Sequence, residues 1–164
     1  MKLYHGSNQI IREPNLLKGR KFLDFGSGFY LSDEKSQAEN RARSAVLFFE
    51  EGTPTVNVFE WTKNTVANLN VLHFPTANIE WLDFVLANRQ GDVFENQYDI
   101  VIGPTADDKT ILVIDQYMAG MFNSLENPKE FVIQLFQPQN LAIQYLFATE
   151  ESLKYIHFTD NYTL

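Results

Sequence analysis

Two short segments near the N-terminus most constrain how this chain can fold. Leu3-Tyr4-His5-Gly6-Ser7 reads as an opening β-strand, and Asp24-Phe25-Gly26-Ser27-Gly28-Phe29-Tyr30-Leu31-Ser32 as a glycine elbow that runs into a second one. Between them lies a stretch with Pro14, Gly19 and few apolar positions, as expected of a surface loop. The pairing sets a histidine beside a glycine on one strand and a tyrosine after a flexible turn on the other. An open backbone edge, an imidazole and a phenol are the parts that can hold a flat carboxamide-bearing ring and a ribose hydroxyl; the same residues also suit an ordinary hairpin turn and core.

The rest of the chain alternates helix and strand signals. Ser32 is expected to cap a helix with Asp33 and Glu34 in its first turn and a buried face of Ala38, Ala42, Ala45, Val46 and Phe49, stopping before Gly52 and Pro54. Thr55 to Trp61 alternates like a strand, with Val56 and Val58 on one side and Asn57, Phe59 and Trp61 on the other. Leu69 to Phe74 is a further strand candidate. Asn78 is placed to cap a helix from Ile79 to Asn88 that buries Trp81, Leu82 and Val85 and stops at Arg89 and Gly91. Tyr98 to Ile102 reads as a buried strand broken by Gly103-Pro104. Asp107 or Asp108 opens a helix to Met121, Asn127-Pro128-Lys129-Glu130 resembles a capping box, Leu141 to Phe147 is a late strand, Thr149 caps a short helix to Tyr155, and Ile156 to Thr159 closes the chain. Without repeats or low-complexity tracts, residues 1–164 are expected to form a single α+β domain.

At 164 residues the chain can bury about 70% of the surface its unfolded form exposes. Its net charge of −8 repels a polyanionic backbone as a whole and argues against broad duplex binding. Arg12, Lys18, Arg20 and Lys21 nevertheless concentrate cations in the loop before Asp24, which is either a solvated loop or a lid that attracts phosphate. Cysteine is absent, which removes disulfides, thiolate metal sites and a thiol nucleophile and suits a reducing compartment. No apolar run approaches the length of a membrane span, so a cytoplasmic protein without membrane partners is expected.

Several chemistries fail on spacing. The third glycine of a dinucleotide-binding G-x-G-x-x-G would fall on Leu31. His5, His73 and His157 are scattered, so no metal site is expected. Neither a G-x-S-x-G elbow nor an H-E-x-x-H occurs, and Asp107-Asp108 is better read as a helix cap than as an acid/base or Mg²⁺ pair.

Leu3-Tyr4-His5-Gly6-Ser7 and Gly26-Ser27-Gly28-Phe29-Tyr30-Leu31 resemble the first two motifs of the diphtheria-toxin-like branch of ADP-ribosyltransferases, which includes the poly(ADP-ribose) polymerases. The blocks Trp81-Leu82-Asp83-Phe84-Val85, Ala87-Asn88-Arg89, Tyr98 to Asp108 and Thr149 to Tyr155 are similar to a bacterial domain family of originally unassigned function in that superfamily. The resemblance covers nearly the whole chain. It implies a split antiparallel β-sandwich with flanking helices that grips NAD. In such folds the first-motif histidine bonds the adenosine ribose, the next glycine meets the nicotinamide carboxamide through its backbone, and the second-motif tyrosine stacks on the nicotinamide ring. Those roles fall on His5, Gly6 and Tyr30. Ser7 and Gly28 in the same motifs and Arg20 in the basic loop complete the implied cofactor-binding set.

The third motif in many relatives supplies a glutamate. The branch resembled here carries glutamine in a pattern like Q-Y-x-F-x-T, which Gln144-Tyr145-Leu146-Phe147-Ala148-Thr149 fits. Gln144 is the candidate, with Gln139 and Gln137 as alternatives, and a buried strand glutamine bonded to backbone is the competing reading. A neutral amide holds a hydroxyl without supplying charge, and charge-assisted hydrogen bonds are roughly twice as strong as neutral ones. Polymer elongation is therefore not expected.

The resemblance thus implies a mono-ADP-ribosyltransferase, a glycosyltransferase with NAD as co-substrate, with His5, Tyr30 and Gln144 as catalytic candidates and NAD glycohydrolysis as a side activity. It also implies the toxin half of a bacterial toxin–antitoxin pair, with an antitoxin protein as partner. The acceptor, protein or nucleic acid, is not legible. A non-catalytic NAD or ADP-ribose binding domain is the alternative.

Overall fold

Segments with a two-residue apolar period pair into one sheet, and the helical-period segments between them cover it. The computed structural model describes residues 1–16, 23–62, 68–91, 97–106, 108–136 and 141–164. Among these, the strands are β1 (Lys2–Ser7), β2 (Phe29–Ser32), β3 (Thr55–Trp61), β4 (Val71–His73), β5 (Ile100–Pro104), β6 (Ile143–Phe147) and β7 (Ile156–Thr163). The helices are α1 (Lys35–Phe49), α2 (Ile79–Gln90), α3 (Asp108–Met118), α4 (Pro128–Phe136) and α5 (Glu150–Leu153). The sheet order is β4-β5-β6-β2-β1-β3-β7, antiparallel throughout except between β4 and β5. The chain is a single mixed α+β domain.

One junction in this sheet is weak. β1 pairs with β3 from Lys2 opposite Glu60 to Ser7 opposite Thr55. On its other side it meets β2, among the described residues, only where Tyr4 faces Ser32. From His5 onward the two strands part.

Register decides what stands on each face. Tyr4, Ser32, Gln144 and Gly103 lie in one row, so Gly6, Tyr30, Leu146 and Val101, two residues along, share their face. There α1 covers β1 and β3 through Ala38, Ala42 and Val56, while α2, α3 and α4 cover β5 and β6 around Trp81, Val85, Ile114, Val132 and Leu146. The opposite face carries Leu3, Phe29, Leu31, Phe59, Trp61 and Phe147. With both faces buried, β3 is apolar on both sides rather than on one.

Local chemistry sets the helix ends. Asn78 accepts from the Trp81 amide at 2.8 Å and Gly91 closes α2 in the left-handed region at φ 78°, as the sequence suggests. Thr149 and Ser152 cap α5 reciprocally. Pro128 opens α4. Other expectations are corrected. Ser32 remains in β2, where its Oγ accepts from the Glu34 amide at 3.1 Å, so α1 starts at Lys35 with no acid in its first turn. The buried face of α1 is narrower than expected: Ala38 and Ala42 are buried, Ala45 and Val46 are half-buried and Phe49 is exposed. β5 runs through Gly103-Pro104: Gly103 pairs with Gln144 and Pro104 with Ile143, and a ladder position tolerates proline where its missing N–H is not required. α3 ends at Met118, and β7 extends to Thr163.

Candidate functional site

The parting of β1 and β2 opens a cavity of about 890 Å³, within the range of small-molecule sites. Its lining includes five of the residues singled out from sequence in the first two motifs, His5, Gly6, Ser7, Gly28 and Tyr30, together with Gln144. α1 contributes Gln37, Ala38, Arg41 and Ser44. Arg20 and the alternatives Gln137 and Gln139 lie outside the described residues, as do Lys18, Lys21 and Asp107.

The six candidates do not stand on one face. Gly6, Tyr30 and Gln144 share the α1 face by register, whereas His5 and Ser7 alternate to the other, where the His5 ring stacks on Phe29 at 4.3 Å. His5 is tied across the split by a 2.7 Å contact from Nδ1 to the Tyr30 carbonyl. A carbonyl only accepts, so Nδ1 carries the proton. Burial lowers the imidazole pKa from 6.5, outweighing the carbonyl bond that raises it, and the neutral ring then has Nε2 as an acceptor.

Gly6 is required by packing. A Cβ there would lie 1.9 Å from the Ala38 carbonyl oxygen and 2.6 Å from the Ala42 nitrogen, so the α1 backbone rests directly on this strand. The sequence reading assigned the glycine to ligand approach; in the structure the helix already takes the space above it. Among the described residues, the β1 edge that faces β2 has no strand partner from His5 to Ser7.

The Tyr30 hydroxyl donates to the Gly26 carbonyl at 2.6 Å and accepts from the Phe25 amide at 3.1 Å. It thereby pins the elbow, whose Gly26 has φ 91°. Burial, aided by the nearby Asp24 charge, pushes the phenol well above its ordinary pKa of 10.0, so it is neutral and unsuited as a base. Ser7 is buried and its hydroxyl donates to Asn8 Oδ1 at 3.4 Å.

Gln144 is also buried, but it is not bonded solely to backbone. Its Nε2 lies 3.4 Å from Asp24 Oδ2 and 3.4 Å from the Pro104 carbonyl, which also accepts from the Trp81 indole at 3.0 Å. Asp24 is ion-paired with Arg89 at 2.7 Å. Both charged residues line the cavity, as do Thr105 and Arg41.

Among the described residues no group of three or more histidine, aspartate or glutamate side chains could hold a metal ion, and no helix is long and apolar enough to cross a membrane.

A sequence model of the family described as "protein of unknown function (DUF3990)" matches residues 1–158. The chain belongs to that family. No curated protein and no solved structure matches it.

In this DUF3990 chain, sequence reasoning missed Asp24, Arg89, Thr105 and Arg41 as cavity residues. Asp24 reads from sequence only as the first residue of the elbow segment and Arg89 only as part of a helix stop, since each has an adequate local explanation. One signal was available: Asp24 directly precedes the buried Phe25 and the glycine elbow, an unusual place for an exposed charge.

Proposed function

We propose that this chain is an NAD-dependent mono-ADP-ribosyltransferase with a split-sheet fold of ADP-ribosyltransferase type. One observation carries the reading: a single cavity at the parted β1–β2 junction is lined by His5, Gly6, Tyr30 and Gln144, which come from three different strands. Among the described residues β1 and β2 pair at one position, which supports the split, and the β1 edge left open there suits a carboxamide that exchanges hydrogen bonds with backbone.

In the proposed reaction the bond between the ribose C1′ and the nicotinamide nitrogen breaks. Nicotinamide leaves neutral with the bonding pair, and the acceptor nucleophile bonds C1′ and releases its proton. His5 Nε2 and the Gln144 amide carbonyl accept ribose hydroxyls, and the Tyr30 ring gives the nicotinamide a face worth about 1 kcal/mol. Without a carboxylate at position 144, orientation and preorganised dipoles supply the acceleration. Single transfer or slow hydrolysis fits such a site better than polymer growth. A growth-arresting toxin held by an antitoxin protein is the cellular role that goes with this reading.

The test incubates the purified full chain with NAD labelled in its adenosine moiety and a bacterial lysate. Released nicotinamide and label in protein, RNA, DNA and small molecules are counted separately, beside calorimetric titration with NAD. Nicotinamide release that falls at least tenfold in Gln144→Ala, with KM little changed, supports catalysis. Binding without release supports the binding-domain alternative. No heat at millimolar NAD overturns both.

A further inference from the structure

Asp24 divides its carboxylate between two tasks. Oδ1 is taken by Arg89, at 2.8 Å from Nε and 2.7 Å from Nη2. Oδ2 faces the Ala106 amide and Gln144 Nε2, each at 3.4 Å. The second neighbour of Nε2 is the Pro104 carbonyl, also at 3.4 Å, and it too can only accept. Two acceptors on one side of the amide fix which end faces them. The NH₂ group turns to Asp24 and Pro104, and Oε1 is the end left for the cavity.

We infer that Asp24 is a positioning residue that orients the Gln144 amide, so that the cavity is presented with a carbonyl acceptor and selects ligands that bring hydroxyl donors. This rests on the reading of the cavity as an NAD site and names the ligand group that Gln144 reads there. An unoriented amide would offer donor and acceptor alike; this one is committed. A carboxylate bonded to the N–H side also polarises the amide and makes Oε1 a better acceptor. The pair explains why glutamine suits the position. A second carboxylate beside Asp24 Oδ2 would meet a like charge and hold its proton to higher pH.

Nuclear magnetic resonance of the ¹⁵N-labelled chain reads the amide without ligand. The Gln144 side-chain NH₂ pair is assigned by its disappearance in Gln144→Ala. In Asp24→Asn the new carboxamide offers donors of its own, and the Gln144 resonances are expected to shift and exchange faster. Unchanged resonances in a folded Asp24→Asn overturn the inference. With NAD, Asp24→Asn is expected to lower kcat for nicotinamide release about tenfold or more while KM moves less than about threefold; equal loss in both overturns a positioning role. Asp24→Asn also removes one of the two carboxylates paired with Arg89, the other being Asp115, so a second measurement keeps Asp24 intact. In Gln144→Glu, nicotinamide release is expected to rise with pH at a midpoint above the ordinary glutamate value of about 4.3. A rise at or below that value overturns the inference. If the wild type neither binds NAD nor releases nicotinamide, the NAD reading fails, and the resonance test still decides the orientation.

Discussion

Gly6→Ala separates two reasons for a glycine at this place. A methyl group on Gly6 would stand 1.9 Å from the Ala38 carbonyl oxygen, where ordinary contact begins at 3.4 Å, so β1 and α1 must part by about 1.5 Å. A gap of even 0.5–1 Å forfeits about a quarter to a half of each van der Waals well along the seam. The seam joins buried Ala38 and Ala42 to Val56, with Tyr4 and Tyr162 against it. Overpacking of this kind typically costs about 1–3 kcal/mol, and a clash with backbone on both sides puts it at the upper end, about 3 kcal/mol. For a domain of this size, about 3 kcal/mol lowers Tm by roughly 6–12 °C.

Urea unfolding and a thermal scan of Gly6→Ala against wild type measure this. The obstruction is main chain, so truncating side chains does not relieve it: adding Ala38→Gly is expected to lower stability by about a further 1 kcal/mol instead of rescuing it. A displaced α1 also moves Ala38, Arg41 and Ser44 at the cavity wall, so NAD binding falls with stability. Gly6→Ala unfolding within about 0.5 kcal/mol of wild type, with NAD binding lost, would refute the packing argument and return the glycine to ligand contact alone.

The depressed pKa of His5 sets a pH dependence. The unfolded chain takes up this proton below pH 6.5 and the folded chain resists it, so stability is level above 6.5 and falls as pH drops towards the lowered folded value; urea midpoints from pH 8 to 5 should show this decline in wild type and less of it in His5→Asn. Tyr30→Phe keeps the ring and removes the hydroxyl that serves Gly26 and Phe25, so stability should fall by about 1–2 kcal/mol while NAD affinity stays within about threefold, read by denaturation and calorimetry. Replacing Arg20 and Lys21 together by Gln should weaken NAD binding most at low ionic strength, since the loop charge opposes a net −8; equal weakening at every salt concentration would point to folding damage.

Where one local rule decided the outcome, the sequence was a good guide. Asn78 and Gly91 bracket α2 because an amide side chain and a left-handed glycine each satisfy an orphan helix end without help from elsewhere. Tertiary context decided the rest. Ser32 looks like a helix cap, but β6 claims it as a strand residue opposite Gln144, and capping yields to pairing. Gly103-Pro104 looks like a break, yet both remain in the ladder. At the cavity, His5, Tyr30 and Gln144 were legible as residue types in motifs. The pairing of Asp24 with Arg89 was not, because they lie 65 positions apart and only the packing of α2 against the elbow brings them together. No periodicity reports an ion pair of that range.

His5 and Gln144 stand on different strands and opposite faces of the sheet, yet each has its N–H side already engaged. His5 spends its one N–H on the Tyr30 carbonyl, and Gln144 turns its NH₂ group to Asp24 and Pro104. In the proposed site each then has an acceptor left for a ligand, Nε2 in one case and Oε1 in the other. A ligand that satisfies both must bring donors, and one with carboxylate or phosphate oxygens at these points would leave two buried acceptors facing lone pairs, at a cost of about 1–3 kcal/mol for each unmet group. A sugar meets the requirement with its hydroxyls. The anionic part of a dinucleotide must then lie elsewhere along the lining, where Arg12 from the loop after β1 and Arg41 from α1 supply cations in a chain that is otherwise acidic.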